Sequence, residues 1–210
     1  QDHGGAMEAV TDPQARLQVI RELTAMALAG TPTSEPAFDC LGIVARECGI
    51  TSRMAEDVIE GFALDAADWR PRRESDLYQY CYHVAGAVGL LMAIVMGVDP
   101  EDQETLDRAC DLGIAFQLAN IARDIVPDAQ VARCYIPSSW LAEAGLSEAD
   151  MAAPANRKAL AAIARRGGVR LLGPNCLGFM NVGEQLYATF SPAPAGGLDN
   201  ELRHRKSRRR

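Results

Sequence analysis

Apolar residues recur at three- and four-residue spacing through the first two thirds of the chain, and no window alternates apolar and polar at period two. The pattern predicts five helices. Asp12-Pro13 is an N-cap followed by proline at the first helical position. Leu17, Ile20, Thr24, Ala27 and Leu28 form the apolar face of that helix, and Gly30 stands where a C-terminal cap belongs. Ser34-Glu35-Pro36 opens a second helix that ends near Gly49. Thr51 and Ser52 cap a third, through MAEDVIEGFALDAAD. Ser75 opens a fourth that reaches Gly97, and Asp99-Pro100 opens a fifth that runs to about Val126. Within the fourth, Val84–Val98 is an apolar run of 15 residues, short of the roughly 20 that a bilayer span needs. It is predicted as a helix buried on all sides. The fold class of this region is all-α.

The pattern changes near residue 167. Gly167-Gly168 interrupts a helix-like stretch, and VRLLGPNCLGFMNV follows as a strand-like run, a Gly-Pro-Asn turn and a second apolar run. This sets a boundary at 166/167. SPAPAGG reads as a loop or linker, and residues 198–210 form a basic tail of predicted disorder.

Charge sharpens this division. The net charge of the 210 residues is −7. The last ten residues carry six Lys and Arg against one Glu, which leaves 15 basic and 27 acidic residues in the first 200. So acidic a body disfavours a nucleic-acid-binding core. Six cysteines (Cys40, Cys48, Cys81, Cys110, Cys134, Cys176) show no CxxC pair and no zinc-like spacing. Several lie in apolar helical runs, where a free thiol acts as a small hydrophobe. A reducing, cytoplasmic setting is expected.

Candidate chemistry lies on the fifth helix, TLDRACDLGIAFQLANIARDIV (105–126). Gln117, Asn120 and Asp124 fall at i, i+3 and i+7 and share one face, which Asp128 would extend by another turn. Burying such groups unpartnered costs roughly 2–7 kcal/mol each, so the stripe is either solvated or faces a hydrated, charged ligand. Two carboxylates one turn apart can ligate Mg²⁺, and Arg123 beside them can meet phosphate oxygens. On spacing alone, a solvated face with an i,i+4 acidic pair is the commoner explanation. The fourth helix opens with Tyr78, Tyr80 and Tyr82 and continues through Ala85, Gly86, Ala87 and Gly89. Small residues at this spacing suit close helix packing or an inserted hydrocarbon chain.

EGFALD (60–65), YCYHVAGAVGLLMA (80–93), LDRACDLGIAFQLANIARDIVPDA (106–129) and RCYIPSSWL (133–141) together resemble the squalene/phytoene synthase family, and the bacterial phytoene synthases in particular, over about residues 7–166. The resemblance implies a trans-isoprenyl diphosphate synthase-type helical bundle. It also implies head-to-head condensation of two geranylgeranyl diphosphates to phytoene through a cyclopropyl diphosphate intermediate, in carotenoid biosynthesis. Mg²⁺, or Mn²⁺ in its place, binds the leaving diphosphate, and an apolar cavity shields the carbocations from water. Carried over by residue, Asp124 and Asp128 match the family's second aspartate-rich motif. Gln117, Asn120 and Arg123 match its diphosphate and metal surroundings, with Asn120 among the metal ligands. Tyr80, Val84, Ala85 and Gly89 match the lining of the prenyl channel, and Tyr135 matches a tyrosine near the diphosphates.

Three departures from the family pattern set further expectations. No DDxxD motif occurs in residues 1–60, so the chain by itself is expected to be impaired or inactive. Pro127 stands where the family usually has an acidic residue. Proline inside a helix costs about 3 kcal/mol, and here it is expected to tilt Asp128 off the stripe. The family's C-terminal helices are missing after residue 166, so the bundle is read as truncated at both ends, with a short strand-containing appendage. Residues 167–197 resemble a piece of the CoA-binding region of ADP-forming acyl-CoA synthetases, too short to imply CoA binding. The expected partner is a prenyl diphosphate, with peripheral contact at the inner face of the membrane and no specific nucleic acid. The alternative is a non-catalytic helical scaffold derived from the same fold.

Overall fold

The computed structural model describes residues 12–153, 178–181 and 186–189. These fall into two compact units, divided between residues 171 and 172.

The first unit is helical. Its elements are α1 (Pro13–Leu28), α2 (Pro36–Cys48), α3 (Ser52–Ala66), α4 (Glu74–Cys81), a π turn (Tyr82–Gly86), α5 (Ala87–Val95), α6 (Gln103–Gln130), α7 (Ser138–Glu143) and a 3₁₀ turn (Glu148–Ala152). Local chemistry explains most boundaries. The Asp12 carboxylate accepts from the Ala15 backbone N–H at 2.8 Å, and the Thr51 hydroxyl accepts from Met54 N–H at 3.3 Å. These satisfy donors that a helix start leaves orphaned. Gly30 and Gly49 follow their helices with φ of +75°, the left-handed conformation that stops a helix.

Two predicted boundaries shift. The fifth helix begins at Gln103, because Asp102 rather than Asp99 takes the capping bond, accepting from Thr105 N–H at 3.2 Å. It also runs on past Val126 to Gln130, through Pro127. Pro127 is exposed, so the Arg123 carbonyl that loses its helical partner can turn to water. The helix therefore does not end at Pro127, and Asp128 lies within it, four residues beyond Asp124.

The long helix α6 organises the core. It packs along α5 and the π turn, while α3 covers the π turn from another side and α1 packs on α2 and α3. Leu77, Tyr80, Cys81 and Ile121 form a buried cluster with Leu64, Trp69 and Tyr135 against it. A second, of Ala93, Ile94 and Leu106, lies at the other end, and Cys134, Leu141 and Met151 close the side near the 3₁₀ turn. Each fully buried Leu or Ile contributes about 1.5–3 kcal/mol.

The apolar 84–98 segment is not buried all round as predicted. Val88, Met92, Val95 and Met96 are exposed, Met96 by 73%, because α3 and α6 cover only part of its circumference. Taken through the π turn, Glu74–Val95 is 22 residues and is long and apolar enough to cross a membrane by length and composition alone. The shorter run read from the sequence fell below that limit.

The second unit holds an antiparallel pair, β1 (Gly178–Asn181) and β2 (Leu186–Thr189), with Gly178 opposite Thr189 and Asn181 opposite Leu186. The strand-like run before the Gly-Pro-Asn turn and the basic tail lie outside the described residues, as does the 166/167 boundary.

Candidate active site

The polar stripe lies on the C-terminal half of α6. Gln117, Asp124 and Asp128 are half-buried, and Asn120 and Arg123 are exposed. Arg123 grips its neighbour with two nitrogens, Nε donating to Asp124 Oδ1 at 2.8 Å and Nη2 to Oδ2. These bonds hold the Asp124 carboxyl below the usual aspartate range. Asp128 moves the other way: burial first, then the Asp124 charge, raise it, and Arg133 and Arg123 offset this only in part. Two carboxylates that repel each other on one half-buried face form a site that a divalent cation would relieve. The donors are all oxygens, which suits Mg²⁺. Among the described residues, no group of three or more His, Cys, Asp or Glu side chains is arranged to hold a metal. The stripe thus offers two carboxylates that could hold a cation, with the Asn120 amide oxygen beside them.

The structure joins this stripe to the two matched tyrosines. Asp128, Arg133 and Tyr135 line one small cavity with Ile121, Ile125, Cys134, Ile136 and Met151. Tyr135 stacks on Tyr80 with ring centroids 5.0 Å apart, and Tyr80 stacks on Trp69 at 5.5 Å. Tyr80 is therefore buried, with both ring faces covered. Its hydroxyl donates to Asp65 Oδ1 at 3.0 Å, and the Tyr135 hydroxyl donates to the same oxygen at 3.3 Å. Asp65 lies at the end of α3, and the sequence gives it no role beyond its place in the EGFALD motif. Its partners are 15 and 70 positions away, and no local pattern could have found them.

The loop that carries Tyr135 is fixed from α3's far end. Arg70 donates to the Ala132 carbonyl, pairs with Asp68 at 2.8 Å and approaches Glu148 at 3.8 Å. Ala132 itself has a φ of +59°, a conformation that costs a residue with a Cβ and needs support from around it.

Val84, Ala85 and Gly89 sit along the seam between the fourth helix and its neighbours. A Cβ on Gly61 would lie 2.9 Å from Val84 Cγ1, one on Gly113 would lie 2.3 Å from the Ala85 carbonyl oxygen, and one on Gly89 would lie 2.4 Å from that of Ala109. The small residues at these places let α5 and the π turn approach α3 and α6 at backbone distance. The π turn inserts one extra residue per turn, with the Ala87 N–H bonded to the Tyr82 carbonyl. Such bulges mark functional segments in many helices. The five described cysteines are free thiols.

The helical unit has the all-α fold of the isoprenoid synthases. A profile of the squalene/phytoene synthase family matches residues 2–168, and the chain belongs to that family. It is 52% identical to a phytoene synthase of Pseudescherichia vulneris over 79% of this chain and 54% of the relative. It is 51% identical to a 15-cis-phytoene synthase of Pantoea ananas over 75% of this chain and 50% of the relative. The chain thus spans about half the length of these curated relatives. Among solved structures, a squalene synthase from Alicyclobacillus acidocaldarius superposes with a TM-score of 0.66 at 27% identity, covering 77% of this chain and 62% of that one. A dehydrosqualene synthase shares the fold at a TM-score of 0.64.

Proposed function

We propose that the α6 stripe is the diphosphate- and metal-binding half of a phytoene synthase site, acting on geranylgeranyl diphosphate with Mg²⁺ or Mn²⁺. The observation that carries this reading is the unbroken course of α6 through Pro127, which keeps Asp124 and Asp128 one turn apart on a face shared with Gln117 and Asn120. The names of the relatives at 51–55% identity support the same reaction.

In this reading Asp124 and Asp128, with Asn120, hold the cation. When bound, Mg²⁺ screens the charge of the departing diphosphate. Arg123 leaves Asp124 for the diphosphate oxygens, a planar donor suited to them. Tyr135 stands at the Asp128 end, and the apolar residues of the fourth helix face the hydrocarbon. The same reading places the enzyme in the cytoplasm, in peripheral contact with the inner face of the membrane, as suits its apolar product.

A thermal-shift titration tests the binding half. With an unreactive geranylgeranyl thiodiphosphate, a stabilisation that needs Mg²⁺ and disappears in Asp124→Ala is expected. Its absence would favour the non-catalytic scaffold. The 210-residue chain contains no DDxxD motif, so incubation with radiolabelled geranylgeranyl diphosphate and Mg²⁺ is expected to give little phytoene. Robust turnover by the same chain would overturn that expectation.

A further inference from the structure

Asp65 has no part in the chemistry proposed so far, yet it takes the hydroxyl bonds of both matched tyrosines. A tyrosine hydroxyl has one proton. Tyr80 and Tyr135 both direct theirs at Asp65 Oδ1, at 3.0 and 3.3 Å, which leaves each oxygen able to accept but not to donate. Diphosphate oxygens are acceptors too, so a Tyr135 held in this way offers them no hydrogen bond. It can meet only a donor or a positive group. Tyr135 shares its small cavity with Asp128 and Arg133. Mg²⁺ gives up water reluctantly and usually keeps several, and these waters are strong donors that outer acceptors orient.

We propose that Asp65 is a positioning residue, fixing Tyr135 as a hydrogen-bond acceptor for the water shell of the divalent cation held at Asp128. The proposal rests on the reading of Asp124 and Asp128 as metal ligands. The stack of Trp69, Tyr80 and Tyr135 supports the arrangement mechanically: its planes lie within 13° and 24° of parallel, which holds the Tyr135 ring, and so its phenolic oxygen, in place beside Asp65. Tyr80 is buried and acts as the backing of Tyr135. Burial raises both phenols above their ordinary range; the contact between the two hydroxyls raises Tyr80 further and lowers Tyr135, and the Asp65 charge adds to the rise of both, so each keeps its proton.

The test measures, on the full chain, the Mg²⁺ concentration that half-saturates binding of geranylgeranyl thiodiphosphate, with direct Mn²⁺ titration by electron paramagnetic resonance as a second readout. Asp65 is exposed and helical, so Asp65→Ala should fold, and circular dichroism checks this. It is expected to raise the metal midpoint about tenfold, the scale of outer-sphere effects, and Asp65→Asn, which keeps one accepting oxygen, should restore most of it. Tyr135→Phe should give the same rise, and Asp65→Ala in that background no further one. A wild-type midpoint in Asp65→Ala, or two effects that simply multiply, would overturn the proposal and leave the metal reading intact. An equal loss of binding without metal would assign Tyr135 to Arg133 instead, which also overturns it. A wild-type chain whose binding ignores Mg²⁺ would remove the metal reading itself, and this proposal with it.

Discussion

The Tyr82 hydroxyl donates to the Asp57 carboxylate at 2.9 Å, tying α3 to the fourth helix at the one place where that helix widens into a π turn. The next residue repeats the tie, with His83 Nδ1 lying 2.9 Å from the Asp57 carbonyl oxygen. A π turn gains little over the α-helical alternative unless its surroundings favour it, and these two contacts supply that preference. Tyr82→Phe keeps the ring and removes the bond. It should lower the stability by about 1 kcal/mol, read as a lower urea midpoint with an unchanged slope.

Close approach of helices makes the second prediction. A Cβ on Gly113 would lie 2.3 Å from the Ala85 carbonyl oxygen and 2.8 Å from its carbon. Both are backbone atoms that a side-chain rotation cannot move, so α6 would have to separate from the π turn. Gly113→Ala should therefore destabilise by about 1–3 kcal/mol, despite alanine's better helix propensity. Gly49→Ala meets no atom within 4 Å and should cost only the strain of its positive φ. Thermal denaturation of the two variants side by side checks the difference.

Asp76 gives a pH dependence with a definite sign. Its carboxylate accepts from the backbone N–H groups of Arg72 at 2.9 Å and Arg73 at 3.2 Å, and chiefly the Arg72 bond lowers it below the usual aspartate range. A carboxyl lowered on folding binds fewer protons in the native state. It therefore adds stability above the ordinary aspartate value near 3.8, and this is lost as the pH falls through the folded value. Asp76→Asn should flatten the acid limb of the stability curve, with the two proteins converging at the lowest pH. The 71–72 segment that Asp76 holds also accepts from Ser138 and Ser139 at 3.1 and 3.0 Å, so the start of α7 should loosen in hydrogen exchange.

Arg70 makes the fourth case. Its guanidinium reaches Asp68, Glu148 and the Ala132 carbonyl, and its side chain is 25% exposed. Hydrogen bonds to a charged group are worth about 1.5–3 kcal/mol when shielded from water, and partial exposure reduces this. Arg70→Ala should cost about 1 kcal/mol or less through its exposed ion pairs. Its larger effect should be local: faster amide exchange over residues 131–136 and weaker Mg²⁺-dependent binding of the thiodiphosphate. Asp68→Ala, which removes only the most exposed partner, should leave exchange of that loop unchanged.

Helix starts and stops were legible because their causes are local. Asp12, Thr51, Gly30 and Gly49 act within four residues of themselves, and each stands where the pattern placed it. Asp99-Pro100 misled because a second aspartate, Asp102, is better placed to take the capping bond. The end of the fifth helix was placed too early, near Val126, for a different reason: Pro127 lies inside α6, which runs on to Gln130. Proline still costs the helix a bond and a steric clash, and the packing of α6 on its neighbours, a property of the assembled bundle, carries the helix past it.

The stripe of Gln117, Asn120 and Asp124 was fixed by sequence alone, since helical spacing puts these residues on one face whatever surrounds them; that Asp128, beyond Pro127, lies in the same helix was not. So was the family, whose motifs run in order along the chain. The tertiary structure decided which groups face the stripe. It brought Tyr135 into a cavity with Asp128, covered Tyr80 on both ring faces, exposed one side of α5, and aimed two tyrosine hydroxyls at Asp65 from 15 and 70 positions away. Each of these depends on contacts between elements distant in the chain, and periodicity along one element contains no record of its neighbours.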